Sequence, residues 1–161
     1  MKSAFVTGSV LCLAVLGPAV EARADCQYVR GGITETRIRS NDTLGRFLGN
    51  VTGVLNGAST VFITSPPPNV TSFDVFVTKS GDMLMATGLP TRTPVPGAPA
   101  GEFTTHVDLT VIGGSGKYEG ATGTMTFDGL SHNAFGGPGV ATAELIYQGC
   151  VWGPNLKGDG N

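Results

Sequence analysis

The stretch VDLTVIGGSGKYEGATGTMTF, residues 107–127, decides the fold. At both of its ends, apolar residues alternate strictly with aspartate or threonine; the apolar ones are Val107, Leu109, Val111, Met125 and Phe127. Such alternation is typical of antiparallel strands with one buried face. The glycines between the two ends allow a tight reversal of the chain. The stretch therefore predicts two neighbouring strands joined by a glycine-rich turn.

The same alternation recurs elsewhere in the chain. Residues 73–77 and 141–147 each alternate apolar with polar side chains, and residues 33–39, 46–55, 60–64 and 83–88 are further strand candidates. No segment has a capped apolar period of 3.6, so we expect little or no helix. About eight short strands predict an all-β barrel or sandwich. The residues expected to line its interior are Phe73, Val75, Val77, Val107, Leu109, Val111, Met125, Phe127, Ala143, Leu145 and Tyr147.

The glycine-rich segment fits none of three familiar site motifs. A phosphate-binding P-loop needs Ser or Thr after Lys117, where Tyr118 stands. The dinucleotide pattern Gly-x-Gly-x-x-Gly, counted from Gly114, places Glu119 at its last glycine. A nucleophile elbow around Ser115 would need glycine where Lys117 stands, and no helical pattern follows any of the three. All three motifs are excluded.

Residues 113–123, GGSGKYEGATG, instead resemble a signature of the allene oxide cyclase and dirigent-protein superfamily. The matching positions are Gly113, Gly114, Ser115, Gly116, Tyr118, Gly120, Ala121 and Gly123. The resemblance implies an eight-stranded antiparallel β-barrel with an apolar cavity. Tyr118 is placed to close one end of that barrel.

The resemblance also implies two kinds of activity. Allene oxide cyclases close an unstable epoxide to a cyclopentenone, and dirigent proteins orient radical coupling without being conventional enzymes. Both position a reactive small molecule in an apolar cavity. The functional acidic residues of that superfamily cannot be aligned with this chain, so no catalytic residue is transferred, and function must be argued from the site.

The first 24 residues have the pattern of a secretory signal peptide. Lys2 precedes an apolar run over residues 4–20, and Ala22-Arg23-Ala24 is a small-x-small cleavage site. We therefore expect a signal peptide over 1–24, one barrel domain over 25–152 and a flexible tail over 153–161. The protein is expected to be secreted, or periplasmic in a bacterium, with no membrane segment after cleavage.

Two cysteines, Cys26 and Cys150, remain after that cleavage. An even count in an exported chain favours a disulfide bond. The alternative, a catalytic cysteine, needs a thiolate and a base partner. We predict the Cys26–Cys150 bond.

Few polar residues are candidates for chemistry. His106 and His132 have no third ligand at metal-binding spacing, so no metal site is expected, and His106 and Asp108 are expected on an outer strand face. Glu35 and Arg37 share one strand face, which makes them either a polar patch inside the cavity or an exterior ion pair. We favour the exterior pair because charged residues are seldom buried.

Composition limits the partners. The net charge is −2 and only 14% of residues are charged, which argues against nucleic-acid binding. Prolines predict loops over residues 65–69 and 88–101. Asn41, Asn50 and Asn69 each begin a glycosylation sequon, which matters only in a eukaryotic source.

Two functions remain open. In the first, the barrel binds a small apolar molecule and orients or cyclises it. The alternative is a non-catalytic extracellular structural or interaction protein whose barrel is filled by side chains. No cofactor is expected, and a homo-oligomer is an open alternative to a monomer. An apolar pocket of a few hundred Å³ would favour ligand binding.

Overall fold

The chain forms eight antiparallel β-strands. The computed structural model describes residues 26–40, 45–134 and 139–156. The strands are β1 Gln27–Ser40, β2 Gly45–Val51, β3 Gly57–Ser65, β4 Thr71–Thr78, β5 Met83–Pro94, β6 Phe103–Ser115, β7 Thr122–His132 and β8 Thr142–Trp152. Short 3₁₀ turns lie at Gly53–Leu55 and Gly116–Tyr118. The predicted signal peptide lies outside the described residues.

The strands close into a barrel. Each strand pairs with the next in sequence, and β8 pairs with β1. The predicted fold class, an all-β eight-stranded antiparallel barrel with little helix, is therefore confirmed. An interior of eight strands is just wide enough to be filled by side chains or to hold one small ligand. No helix in the described ranges is long and apolar enough to cross a membrane.

The two ends of the barrel differ. The end that carries the β2–β3, β4–β5 and β6–β7 connections, here called the lower end, is filled by apolar side chains. The fully buried residues there include Val29, Val51, Leu55, Phe76, Leu84, Met125, Tyr147 and Val151. The opposite, upper end carries the β1–β2, β3–β4, β5–β6 and β7–β8 connections. The barrel is therefore a packed core in its lower half.

The glycine-rich segment closes the lower end. Gly116 and Gly120 have φ values of +62° and +68°, a left-handed backbone that glycine adopts without a steric cost. The turn between them places the Tyr118 ring in the core, fully buried. Asp82 accepts a hydrogen bond from the Lys117 N–H at 3.1 Å and fixes the turn to the β4–β5 connection.

A disulfide bond joins Cys26 to Cys150, as predicted, with the Cα atoms 5.4 Å apart. Cys26 immediately precedes β1, and Cys150 pairs with Tyr28 across the β1–β8 ladder. The bond therefore fastens the two strands that close the barrel.

The predicted inward face of β4 is wrong. Val77 is 42% exposed and Phe73 and Val75 are half-buried, whereas the alternate residues Ser72 and Asp74 are buried. A slip of one residue reverses every side chain of a strand. The apolar face of β4 belongs to the outer surface of the barrel.

Cross-strand aromatic contacts explain that apolar outer face. The Phe73 ring lies 6.3 Å from the Phe62 ring on β3, and the Arg46 guanidinium from β2 lies 4.4 Å above Phe62. Pairs of this kind stabilise neighbouring strands on either face of a sheet. Apolar alternation in β4 therefore marks a cross-strand ladder and does not identify the interior.

Two other strand boundaries differ from expectation. β5 continues to Pro94, so the loop predicted over 88–101 shortens to residues 95–102. Prolines are tolerated there because the β4–β5 register ends at the Ser72–Gly88 pair, which leaves the rest of β5 in the position of an edge strand. The strand predicted over 46–55 ends at Val51.

Part of the predicted tail contacts the barrel. Leu156 is partly buried against the core, and its N–H donates to the Gly153 carbonyl at 3.2 Å. Residues 157–161 lie outside the described residues.

Candidate functional site

A cavity of about 160 Å³ occupies the upper half of the barrel. This volume is below the few hundred Å³ named above as favouring ligand binding, but it is enough to hold a molecule as large as benzene. All eight strands contribute to its walls, and the residues from β2 are Gly45 and Phe47. The Phe127 ring lines the cavity and also packs edge-on against Phe76 of the core, with ring centroids 5.9 Å apart. Phe127 therefore separates the open upper half from the filled lower half.

Four of the residues predicted to line the interior lie at the cavity: Val107, Phe127, Ala143 and Leu145. Four others are buried in the packed core below it: Leu109, Val111, Met125 and Tyr147. Phe73, Val75 and Val77 lie on the outer face, as described above. Sequence alternation thus identified the β6, β7 and β8 walls, chose the wrong face of β4, and named no lining residue on β2, β3 or β5.

Glu35 of β1 points into the cavity and is only 5% exposed. The favoured interpretation of Glu35 and Arg37 as an exterior ion pair is therefore wrong. The Ser59 hydroxyl donates a hydrogen bond to Glu35 Oε1 at 3.2 Å. Burial, together with repulsion from Asp74, raises the pKa of Glu35 to about 7, and the Ser59 bond and the charge of Arg92 offset part of that effect.

Asp74 of β4 is a second buried carboxyl, 2% exposed, on the strand face that the alternation of residues 73–77 predicts to be outside. The Ser72 hydroxyl donates a hydrogen bond to Asp74 Oδ2 at 2.6 Å. Burial raises the pKa of Asp74 to about 7, although the Ser72 bond lowers it in part. The cavity therefore holds two carboxyls, each with a pKa raised to about 7.

Two glycines leave room for these carboxyls and their partners. A Cβ atom on Gly49 would lie 2.3 Å from Ser59 Oγ and 2.9 Å from Glu35 Cγ. A Cβ atom on Gly88 would lie 2.3 Å from Ser72 Oγ. Both hydrogen-bonded pairs therefore require a residue without a side chain on the neighbouring strand.

Replacing Gly49 by alanine is expected to displace Ser59 and Glu35, because the new methyl group overlaps both. We expect a loss of about 1–3 kcal/mol in the free energy of unfolding, the usual cost of overpacking a core. Chemical denaturation measures it. Gly32→Ala is the comparison variant: the nearest atom to its Cβ is Thr52 Oγ1 at 3.2 Å, on an exposed side chain that can move, so a smaller loss is expected. Equal stability of the two variants would contradict the described packing.

Two arginines complete the polar lining of the cavity. Arg37 of β1 and Arg92 of β5 both lie at its wall. Burial lowers the pKa of Arg92, and repulsion from Arg37 lowers it further, while Glu35 acts in the opposite direction. The buried Nε atom of Arg37 has no hydrogen-bond partner within the described part of the chain. The guanidinium groups therefore lie close enough to repel each other.

The other candidates from the sequence lie away from the cavity. Tyr147 donates its hydroxyl to the Thr52 carbonyl at 2.8 Å and accepts the Leu55 N–H at 2.8 Å, which anchors the first 3₁₀ turn. His106 lies on the outer face of β6, 2.6 Å from Asp128 Oδ1 and 3.3 Å from Asp108 Oδ1.

Residues 26–40, 45–134 and 139–156 contain no group of three or more His, Cys, Asp or Glu side chains arranged to hold a metal ion. Asn50 and Asn69 are exposed, and Asn41 lies outside the described residues.

The arrangement is suited to proton transfer on a small bound molecule. Carboxyls with pKa values near the working pH are efficient general acids and bases. They lie in a cavity whose walls are otherwise largely apolar; the apolar lining includes Phe47, Val61, Ile63, Val70, Val107, Phe127 and Leu145. Asp74 pairs with Val61 of β3, which also lines the cavity. Knowledge of this register would have predicted that Asp74 faces inward, but no local sequence pattern specifies it.

No protein-family model, curated protein or solved structure matches the chain.

Proposed function

We propose that the barrel binds a small, mainly apolar molecule in its upper cavity and rearranges it by proton transfers in which Glu35 and Asp74 act as acid and base. The observation that carries the proposal is the enclosure of both carboxyls in one cavity of about 160 Å³. Burial raises the pKa of both carboxyls, and carboxyls perturbed in this way concentrate at functional sites, where function outweighs the cost of burial to stability.

The proposed reaction is an isomerisation, ring closure included. One carboxyl, in its protonated form, donates a proton to an oxygen atom of the substrate. The other, in its ionised form, removes a proton from a carbon atom of the same molecule. The substrate keeps its composition, and the two carboxyls have exchanged protonation states. A proton shared between neighbouring acids restores the starting state, so no cofactor is needed.

Two further observations support the proposal. Residues 113–123 resemble the allene oxide cyclase and dirigent-protein signature, and members of that superfamily act on small molecules in a barrel cavity. The Cys26–Cys150 bond is compatible with an exported protein, since disulfides persist in oxidising compartments. The bond supports the proposal that the protein acts outside the cytoplasm.

Native mass spectrometry of the protein purified from its own compartment tests binding. We expect a co-purifying small molecule on the wild-type protein and its loss from Ala143→Phe, because the phenyl ring would fill the cavity. Ala58→Phe, on the exposed outer face of β3, is the matched control and should retain the molecule. Overpacking at residue 143 costs about 1–3 kcal/mol, so folding of both variants is checked by circular dichroism.

Solvent exchange then tests the chemistry. The co-purified molecule, incubated with the protein in D₂O, is expected to gain carbon-bound deuterium with wild type and not with Asp74→Asn. Binding without exchange would restrict the function to positioning a ligand. If Ala143→Phe keeps the molecule with wild-type affinity, the molecule does not bind inside the barrel. That result would favour the alternative, an interaction protein whose barrel interior takes no ligand.

A further inference from the structure

The cavity ends at one level of the barrel. On each of four strands, a residue that lines the cavity is followed, two positions along toward the lower end, by a residue of the packed core. These pairs, with the lining residue first, are Glu35 and Ile33 on β1, Asp74 and Phe76 on β4, Val107 and Leu109 on β6, and Leu145 and Tyr147 on β8. Because side chains two residues apart on a strand share a face, the floor of the cavity runs across the barrel at this level.

The Phe127 ring of β7 lies at that floor and is held there from two sides. It packs edge-on against Phe76, with ring centroids 5.9 Å apart, and against Tyr147, with ring centroids 6.5 Å apart. Tyr147 is itself fixed by its hydrogen bonds to the Thr52 carbonyl and from the Leu55 N–H. Since protein interiors are close-packed, the Phe127 ring cannot move aside for a larger ligand without displacing a fully buried aromatic ring.

We propose that Phe127 is the specificity-determining residue of the cavity, and that its ring stops a ligand at the level of Glu35 and Asp74 and admits one six-membered ring beside them. This inference rests on the proposed function and names the size class of the molecule that the cavity accepts. The cavity volume of about 160 Å³ matches a single ring of that size. Both carboxyls lie one step above the floor, so a ring that rests on Phe127 lies beside them.

The floor is also the side on which one substitution can deepen the cavity. Met125 lies two residues below Phe127 on the same face of β7 and is buried. Replacing a large core side chain by alanine leaves a cavity, because the surrounding structure relaxes only in part. Phe127→Ala is therefore expected to extend the cavity down to the Met125 side chain.

The probes for the test are toluene and naphthalene, which carry one ring and two fused rings. Their affinities are measured by titration of the Val107 and Leu145 methyl resonances in ¹H–¹³C spectra. The wild-type protein is expected to bind toluene more tightly than naphthalene. Phe127→Ala is expected to raise the ratio of naphthalene affinity to toluene affinity by about tenfold or more, because the second ring becomes buried.

Nuclear Overhauser effects between probe and protein measure the depth of binding. In the wild-type protein, bound toluene is expected to give such effects to the Val107 and Leu145 methyl groups and none to the Met125 methyl group. In Phe127→Ala, bound naphthalene is expected to reach the Met125 methyl group.

Phe73→Ala is the matched control, since it removes the same ring from the outer face of β4. Its affinity ratio and its Overhauser effects should equal those of the wild-type protein. Circular dichroism checks the folding of each variant. Phe127→Leu, which removes less of the side chain, should change the affinity ratio in the same direction by a smaller factor.

The outcomes separate this inference from the proposed function. An Overhauser effect between toluene and Met125 in the wild-type protein, or an unchanged affinity ratio in folded Phe127→Ala, overturns the role of Phe127 and leaves the ligand cavity in place. Failure of both probes to shift the Val107 and Leu145 methyl resonances overturns ligand binding, and this inference with it. The wild-type Overhauser effects decide the inference even if neither Phe127 variant folds.

Discussion

Removal of the Cys26–Cys150 bond is expected to lower the free energy of unfolding by about 5 kcal/mol. The bond spans 124 residues of sequence, so its loss frees nearly the whole described chain in the unfolded state. A Cα separation of 5.4 Å lies in the normal range for disulfides, so the bond forms without moving the backbone. The expected decrease in Tm is roughly 15 °C.

Thermal and urea unfolding, with and without reductant, measure this effect. The double variant Cys26→Ala/Cys150→Ala is expected to match the reduced wild-type protein and to show no response to reductant. A decrease of less than about 1 kcal/mol on reduction would mean that the β1–β8 ladder alone holds the barrel closed. It would contradict the role assigned to the bond.

Stability is also expected to fall as the pH rises from about 4 to about 7. The pKa values of Glu35 and Asp74 are raised to about 7 from 4.5 and 3.8. The folded protein therefore keeps protons that the unfolded chain releases in this interval. This contribution to stability is complete below the unfolded pKa values and is lost as the pH passes the folded ones.

The size of this effect is on the order of 3 kcal/mol for each carboxyl, since one pKa unit corresponds to about 1.4 kcal/mol. Asp74→Asn is expected to be more stable than wild type at pH 8 by an amount of that order and to be similar to wild type at pH 4. Urea unfolding at several pH values measures it. Glu144→Gln, exposed on the outer face of β8, is the control, and a variant Asp74→Asn with the wild-type pH profile would contradict the assignment.

Strand count and inward faces were predictable where a strand has one apolar and one polar face. Val107 and Leu109 alternate with Asp108 and Thr110, and the structure buries the first pair and exposes the second. The disulfide was predictable because only two cysteines follow the expected cleavage site. The glycine-rich turn was predictable from its spacing, and Tyr118 is buried where that spacing placed it.

The polar half of the interior was not predictable in the same way. A site that holds charged groups must break the rule that charges face solvent, so Glu35 and Asp74 were assigned to the outside. In β4 the error was reinforced by Phe73, which is apolar because it packs against Phe62 on the outer face. The contacts that make Asp74 a cavity residue come from Ser72, Gly88 and the neighbouring strands, and these contacts exist only after the barrel closes.

The direct test of the account is a titration of the side-chain carboxyl carbons of Glu35 and Asp74 by ¹³C NMR. Spectra of Glu35→Gln and Asp74→Asn assign the two signals. We predict that both groups ionise with midpoints near pH 7, and that Asp74→Asn lowers the midpoint of Glu35 because a repelling charge is removed. Ionisation of both groups near pH 4, with no response of either to replacement of the other, would contradict a shared buried site.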